Sequence, residues 1–317
     1  MKAAVLTGPS HMEVADRPMP SANDDQLLIR VLVCGVCSSE YHVWKEGLWG
    51  GTVLGHEAVG IVEKVGKNVA AFKPGDRVSG FITEAFAEYT VCAPERAIRL
   101  PDGIGNAEGI LEPWSCLISG AGRVSMRFGA DVALVGCGYM GLGFLQLLKS
   151  RGVGRILAVD VREESLENAR RFGADETYKP HCVPKNYIVD EWNDQMFRNG
   201  VEVAVEAGGV ASALELAGKM VRPHGTLAIV GYHQSGRREI DMRLWNWKAL
   251  TVINAHERRI AMQMEYMEDA VRLMQSGRIR AKEMMTHAYP LEQINRAFAE
   301  TGDKPPGYIK GYIRIAE

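Results

Sequence analysis

The sequence carries no excess of charge of either sign: Lys and Arg number 37, Asp and Glu 39, for a net charge of −2 at pH 7. That balance removes any bulk electrostatic drive toward nucleic acid or an anionic membrane, so neither is expected as a partner. Long apolar runs are missing too. The charge-free stretch from Val132 to Leu148 is interrupted by four glycines and a glutamine, which argues against a membrane span. The opening Met1–Gly8 is too short an apolar run for a signal peptide. Six cysteines (Cys34, Cys37, Cys92, Cys116, Cys137 and Cys182) make no disulfide scaffold in 317 residues, and a reducing cytoplasm is expected. Repeats, low-complexity tracts and Pro/Ser-rich linkers are also absent. What remains is an ordinary globular composition, 46% hydrophobic and 24% charged, of a length that suggests two domains. Glycine is plentiful, 34 in 317 or about 11% against an average of about 7%, as in an α/β protein rich in tight strand-to-helix turns.

The rhythm of the chain changes midway. Up to about Cys92, short β-like runs are broken by Gly, Pro and Asp. Leu27–Val33, Ala58–Val65 and Phe86–Val91 read as strands, and Pro74-Gly75-Asp76-Arg77-Val78 as a turn feeding another. This half reads as antiparallel and barrel-like. After Pro113, strands alternate with helical patterns. The strands are Val132–Val135, Ile156–Val159, Glu176–Tyr178, Val201–Glu206, Thr226–Val230 and Leu250–Ile253; the helices include Gly141–Arg151, Arg162–Phe172 and Ala211–Val221. Six strands with helical crossovers indicate a doubly wound parallel sheet. A helix around Met262–Gln275 and a strand around Tyr308–Ile315 form the tail.

Val132-Ala133-Leu134-Val135-Gly136-Cys137-Gly138-Tyr139-Met140-Gly141 is a buried strand entering G-x-G-x-x-G and then a helix. The motif alone is weak, but here strand and helix flank it and the next strand ends at Asp160, 19 residues after Gly141. Gly136 permits the turn, Gly138 lets the backbone approach a pyrophosphate, and Gly141 lets helix and strand pack closely. The first helical residues, Tyr139 and Met140, offer N–H groups to the phosphates. Asp160 would accept hydrogen bonds from the adenosine ribose and repel a 2′-phosphate, which favours NAD over NADP. Ala207, Gly208 and Gly231 follow two further strands and are expected near the cofactor, because strand C-termini face the crevice.

Cys34 and Cys37 form a C-x-x-C without the second pair a zinc ribbon needs, and Cys34 continues an apolar strand, as a packed thiol would. His56-Glu57 sits between turn glycines, and Glu112 precedes Pro113. Cys, His and carboxylate are all competent zinc ligands, although each alone has an ordinary structural reading.

With these motifs the chain resembles the zinc-dependent medium-chain dehydrogenase/reductase family, in its sorbitol or polyol branch. Val33-Cys34-Gly35-Val36-Cys37-Ser38-Ser39-Glu40-Tyr41-His42 is similar to the family's first zinc-ligand motif, Leu54-Gly55-His56-Glu57-Ala58-Val59-Gly60 to its second, and Leu111-Glu112-Pro113-Trp114-Ser115-Cys116 to the third-ligand region in the Glu-Pro form of the polyol branch. The resemblance implies an α/β protein in which a GroES-like β-barrel catalytic domain (residues 1–118 and 256–317) accompanies a Rossmann NAD-binding domain (119–255), with the active site in the cleft between them. It implies Cys37 and His56 as zinc ligands with Glu57 or Glu112 as the third. It further implies Glu40 as the acid that orients His56, Ser39 as the hydroxyl that meets the substrate oxygen, and His42 as the end of a proton relay. The family's four-cysteine structural zinc lobe has no counterpart, since no cysteine lies between Cys37 and Cys92; one catalytic zinc is expected and no structural one. A homo-oligomer, dimer or tetramer, transferring a hydride between NAD and a small secondary alcohol such as a polyol, cyclitol or sugar derivative is the implied whole, with an alcohol or threonine-type dehydrogenase of the same family, or a zinc-free NADPH reductase, as the alternative. Among the remaining residues, Lys310 could reach a phosphate but is expected to be a solvated lysine, Trp44 and Trp49 either wall the substrate pocket or cover the core, and Trp245, Trp247 and the methionines of 262–274 are read as packing.

Overall fold

A computed structural model describes residues 1–193, 196–234 and 236–316. The chain divides into two compact units, Met1–Ser115 with Arg258–Glu317, and Cys116–Glu257.

In the first unit, Lys2–Gly8 (β1) pairs antiparallel with His11–Asp16 (β2). Leu27–Gly35 (β3), Glu57–Val65 (β4), Arg77–Phe81 (β5), Tyr89–Cys92 (β6) and Ala97–Arg99 (β7) follow, with Ser38–Glu46 (α1) between β3 and β4; Glu112–Arg123 (α2) begins in this unit and continues into the next. The apolar, β-branched sequence of β3 buries eight of its nine residues, as the central strand of a sheet should. The expected strand Phe86–Val91 begins only at Tyr89; its earlier residues bridge β1 through Ala87 instead.

The second unit holds Asp131–Val135 (β8), Tyr139–Ser150 (α3), Arg155–Val159 (β9), Glu163–Phe172 (α4), Glu176–Tyr178 (β10), Val201–Glu206 (β11), Ala211–Met220 (α5), Val221–Ile229 (β12), Met242–Trp247 (α6) and Thr251–Asn254 (β13). All its pairings are parallel, in the order β10-β9-β8-β11-β12-β13, the doubly wound arrangement whose order reverses between β8 and β11. The helix α4 shows its sequence logic plainly. Glu163 and Glu164 stand in its first turn, Arg170 and Arg171 in its last, and Gly173 caps it at φ 108°. One strand differs from expectation. β12 starts at Val221 rather than Thr226, running through Pro223 and His224 (φ 60°) where its register with β11 shifts. The irregularity admits a proline that alone reads as a strand stop.

The chain then re-enters the first unit through Ile260–Gln275 (α7), Met285–Pro290 (β14), Ile294–Asp303 (α8) and Lys310–Arg314 (β15). β15 pairs antiparallel with β3, giving a seven-stranded sheet ordered β14-β15-β3-β4-β5-β7 with β6 also on β3. Periodicity does not reveal this return, and it is what carries Lys310 to the site. No helix among the described residues is long and apolar enough to cross a membrane.

Candidate functional site

The first cluster sits where β3 ends and β4 begins. Cys37 is the N-cap of α1, and its Sγ accepts from Ser39 N (3.5 Å) and Ser39 Oγ (3.1 Å). Three residues after Ser39, and so on the same helical face, His42 is exposed to solvent. His56 and Glu57 follow a turn at Gly55 (φ 100°), where an added Cβ would meet the Phe86 backbone at 2.8 Å. Glu40, buried on α1, accepts from Gly55 N (2.7 Å) and lies 3.1 Å from His56 Nδ1 through the same oxygen, fixing both the turn and the ring. Ligand atoms of Cys37, His56 and Glu57 all lie within 4.8 Å of one another. Burial works against a charged His56, but Glu40 and Cys37 outweigh it and hold the imidazole well above its usual range.

Of the two carboxylates left open by the sequence, Glu57 belongs to this compact set. Glu112, in the first turn of α2, is buried, and burial pushes its carboxyl up to about 7; Glu57 and Glu40 add to the shift while His56 and Lys310 oppose it. Cys34 stays outside the set: it is fully buried on β3 with its thiol on Gly35 O (3.6 Å), and burial raises it well above the ordinary thiol range.

Lys310 is not the solvated lysine expected. It is 6% exposed, and its Nζ donates to Glu57 Oε1 at 2.9 Å and lies 2.7 Å from Oε2. Sequence reading missed it because its partner is 253 positions away; the available signal was a lysine inside the apolar run Tyr308–Ile313. Gly35 has the complementary role, since a Cβ there would stand 2.0 Å from Glu57 Oε2. Trp44 belongs to the core, with its Nε1 donating to Asn295 Oδ1 at 3.1 Å and its ring against Phe298, while Trp49 is exposed. Trp247 is also partly exposed, with the Arg243 guanidinium over its ring, so the packing role expected of it is incomplete.

The second cluster lies within the other unit, at the C-terminal edge of its sheet. Gly136 turns at φ 100° and Gly138 is the N-cap of α3 with no side-chain cap, which leaves the first-turn amides of Tyr139, Met140 and Gly141 without a capping side chain. A Cβ at Gly141 would stand 2.0 Å from Gly136 O, the close packing such a turn needs. Asp160, just after β9, accepts from Cys137 N (2.7 Å) and Arg162 N (2.8 Å), which aims its carboxylate at the glycine turn. Ala207 donates its N–H to Val135 O (2.8 Å), and Gly231 to Glu206 O (2.9 Å), so both lie along the same edge. Glu206, which opens the Glu206-Ala207-Gly208-Gly209 segment expected near the cofactor, is fully buried.

Residues 23–102 match the family "Alcohol dehydrogenase GroES-like domain" and residues 140–276 the family "Zinc-binding dehydrogenase". A sorbitol dehydrogenase of Bacillus subtilis is 28% identical over 94% of this chain and 92% of its own, and one of Rattus norvegicus is 28% identical over 96% and 93%. The solved alcohol dehydrogenase TADH from Thermus sp. ATN1 superposes with a TM-score of 0.84 at 25% identity, covering 100% of both chains. The chain belongs to the zinc-type medium-chain dehydrogenases, resembling their polyol branch. It is accordingly an oxidoreductase acting on CH–OH, of a family that works with zinc and a nicotinamide cofactor.

Proposed function

We propose that the protein transfers a hydride between a polyhydroxylated secondary alcohol and NAD, using one zinc ion per chain held by Cys37, His56 and Glu57. The observation that carries this reading is the convergence of a thiol, an imidazole and a carboxylate within 4.8 Å, a donor set that suits zinc and no other obvious purpose. When bound, zinc supplies a Lewis acid for the substrate hydroxyl. The chain's own residues do the rest. Glu40 engages Nδ1 of His56, which leaves Nε2 for the set. Ser39 Oγ, beside Cys37 Sγ, accepts the substrate proton as it hands on its own, and the relay, through the nicotinamide ribose, ends at exposed His42, which releases a proton to water. Lys310 holds the Glu57 carboxylate in place through an ion pair. Buried Glu112 adds a second acid to the pocket. In the other unit the Gly136–Gly141 turn takes the pyrophosphate, Asp160 the adenosine ribose, and Ala207, Gly208 and Gly231 the inner edge of the dinucleotide.

A polyol reading is supported by the polarity of this pocket, because a site built to bond hydroxyls rejects analogues that lack them. The sorbitol dehydrogenases and D-xylulose reductases among its relatives point the same way. A homo-oligomeric enzyme in a reducing compartment completes the reading, in keeping with six cysteines that form no disulfide. The test is a panel of ethanol, 2-butanol, 2,3-butanediol, threonine, sorbitol, xylitol and myo-inositol at saturating NAD, followed by absorbance. At least one polyhydroxy compound should exceed every simple alcohol in kcat/KM; the reverse order overturns the substrate class.

A further inference from the structure

We infer that a chain of three side chains, buried Glu206 with half-buried His233 and Arg238, positions the dinucleotide by clamping the backbone on which the Gly136 turn rests. This rests on the nicotinamide reading above and adds residues that reading does not contain. Glu206 ends β11 with no solvent exposure. An ionised carboxylate so placed is costly unless its oxygens are fully bonded. Here Oε1 accepts from Gly208 N (2.8 Å) and Gly209 N (2.7 Å), and Oε2 accepts from His233 Nε2 (3.0 Å). On its far side His233 Nδ1 accepts from Arg238 Nε at 3.0 Å. A guanidinium can only donate, so the ring is in its neutral form with the proton on Nε2. Arg238 Nη2 then returns to Gly209 O (3.4 Å), closing a ring of contacts from Gly209 through Glu206, His233 and Arg238 back to Gly209.

What this ring holds is the segment 207–209. On one side of it lies the Glu206 carboxylate. On the other, a Cβ at Gly136 would stand 2.6 Å from Gly208 N and 2.7 Å from Ala207 C, so the first glycine of the dinucleotide turn is seated directly on this backbone. Gly231 shows how closely the ring is enclosed: a Cβ there would lie 2.5 Å from Glu206 Oε2. A strand end needing only burial would carry an apolar residue. A charge-assisted chain fixed at both ends suits a surface that must stay put while a ligand binds across it.

The test is isothermal titration of NAD and NADP into the full-length wild type and variants, with KM for NAD, kcat and the unfolding midpoint measured alongside. In Glu206→Gln the amide N–H faces the His233 N–H, so the ring must exchange tautomers and lose Arg238. This variant and His233→Phe should raise the dinucleotide Kd about tenfold, the worth of one buried hydrogen bond, and raise KM for NAD in parallel with kcat changed less than about threefold. His233→Gln, which can donate to Glu206 and accept from Arg238, should recover most of the affinity. If His233→Phe does not fold, Arg238→Met and Glu206→Gln carry the same comparison. Lowered unfolding midpoints with unchanged Kd, measured where the variants are folded, assign the chain a structural role only and overturn the inference. Failure of the wild type to bind either dinucleotide overturns the cofactor reading and this role together.

Discussion

Glu57 has the least freedom of the residues in the metal-type cluster, and its neighbours explain why. Its carboxylate is pinned by Lys310 on one side and occupies the space a Cβ at Gly35 would need on the other. Removing one member of a buried ion pair strands the other, at about 3–5 kcal/mol. Lys310→Met should therefore destabilise the protein by about that amount, read from urea unfolding, whereas Lys310→Arg should retain most of the stability. A loss below about 1 kcal/mol in the Met variant would mean that Glu57 finds another partner. Gly35→Ala should disturb the same carboxylate from the opposite side. Asp160 poses a different question, since its carboxylate already holds the Cys137 amide. Asp160→Ser should weaken NAD by about tenfold or more, the worth of a charge-assisted hydrogen bond, while NADP weakens less because repulsion of the 2′-phosphate is lost. Comparative titration of the two dinucleotides checks this, and a wild type that prefers NADP overturns the assignment. Cys37→Ala should abolish turnover yet leave NAD binding intact, because Cys37 and the glycine turn belong to different compact units; a parallel loss of NAD binding would refute that separation.

At the scale of elements, the locally encoded features were legible and the long-range ones were not. The helix α4 carries its charges, cap and apolar spacing within ten residues, and β11 is an uninterrupted apolar alternation closed by an acid, so both can be read directly. Asp160 is marked in the same local way, by the strand end it closes, whereas Cys37 and His56 stand out as metal ligands only through the resemblance of their segments to the family's motifs, each alone having an ordinary structural reading. The choice between Glu57 and Glu112 was not, because it depends on how β4 and α2 are brought to the Cys37 loop. Lys248 is a further case that spacing does not announce. It follows α6, is fully buried, and donates to Val189 O (2.9 Å), Gly218 O (2.7 Å) and Lys219 O (3.2 Å), the last two being final-turn carbonyls of α5. Burial lowers its amine to about 8, with Asp190 and Asp241 opposing. An unfolded lysine titrates near 10.4, so between about pH 8 and 10 the unfolded chain holds a proton the folded chain has released, and stability rises with pH across that window. The stability difference between wild type and Lys248→Met should widen in favour of the wild type between pH 8 and 10, by about 1–3 kcal/mol in urea unfolding. A pH-independent difference would show that the amine stays charged throughout.

For the whole molecule, the two units have separate apolar cores. One is built on β3, β4, α1 and α8 with residues such as Leu27, Ile29, Trp44, Phe86 and Phe298; the other on the parallel sheet with Ala133, Leu157, Ala204, Leu214 and Leu227. Neither core contains Cys37, His56 or Glu57. Small zinc domains that fold only with metal do so because the ligands replace a core they lack. Here a core exists apart from them, and protein contacts also hold the metal-type cluster: Glu40 on His56, Lys310 on Glu57, the α1 N-terminus on Cys37. The chain runs from β5 to β6 without a cysteine, so the residues for a second, structural site of the four-cysteine type are missing. Elemental analysis of protein grown with zinc should therefore give about one zinc per chain, matching the one set of ligands found among the described residues. Prolonged chelation should remove it and abolish turnover while leaving the far-ultraviolet circular dichroism spectrum, the unfolding cooperativity and the dinucleotide Kd close to those of the loaded protein. Two zinc ions per chain would reveal a site outside this set. Unfolding on chelation would show that the ion, rather than Glu40 and Lys310, holds the ends of β3 and β4 together.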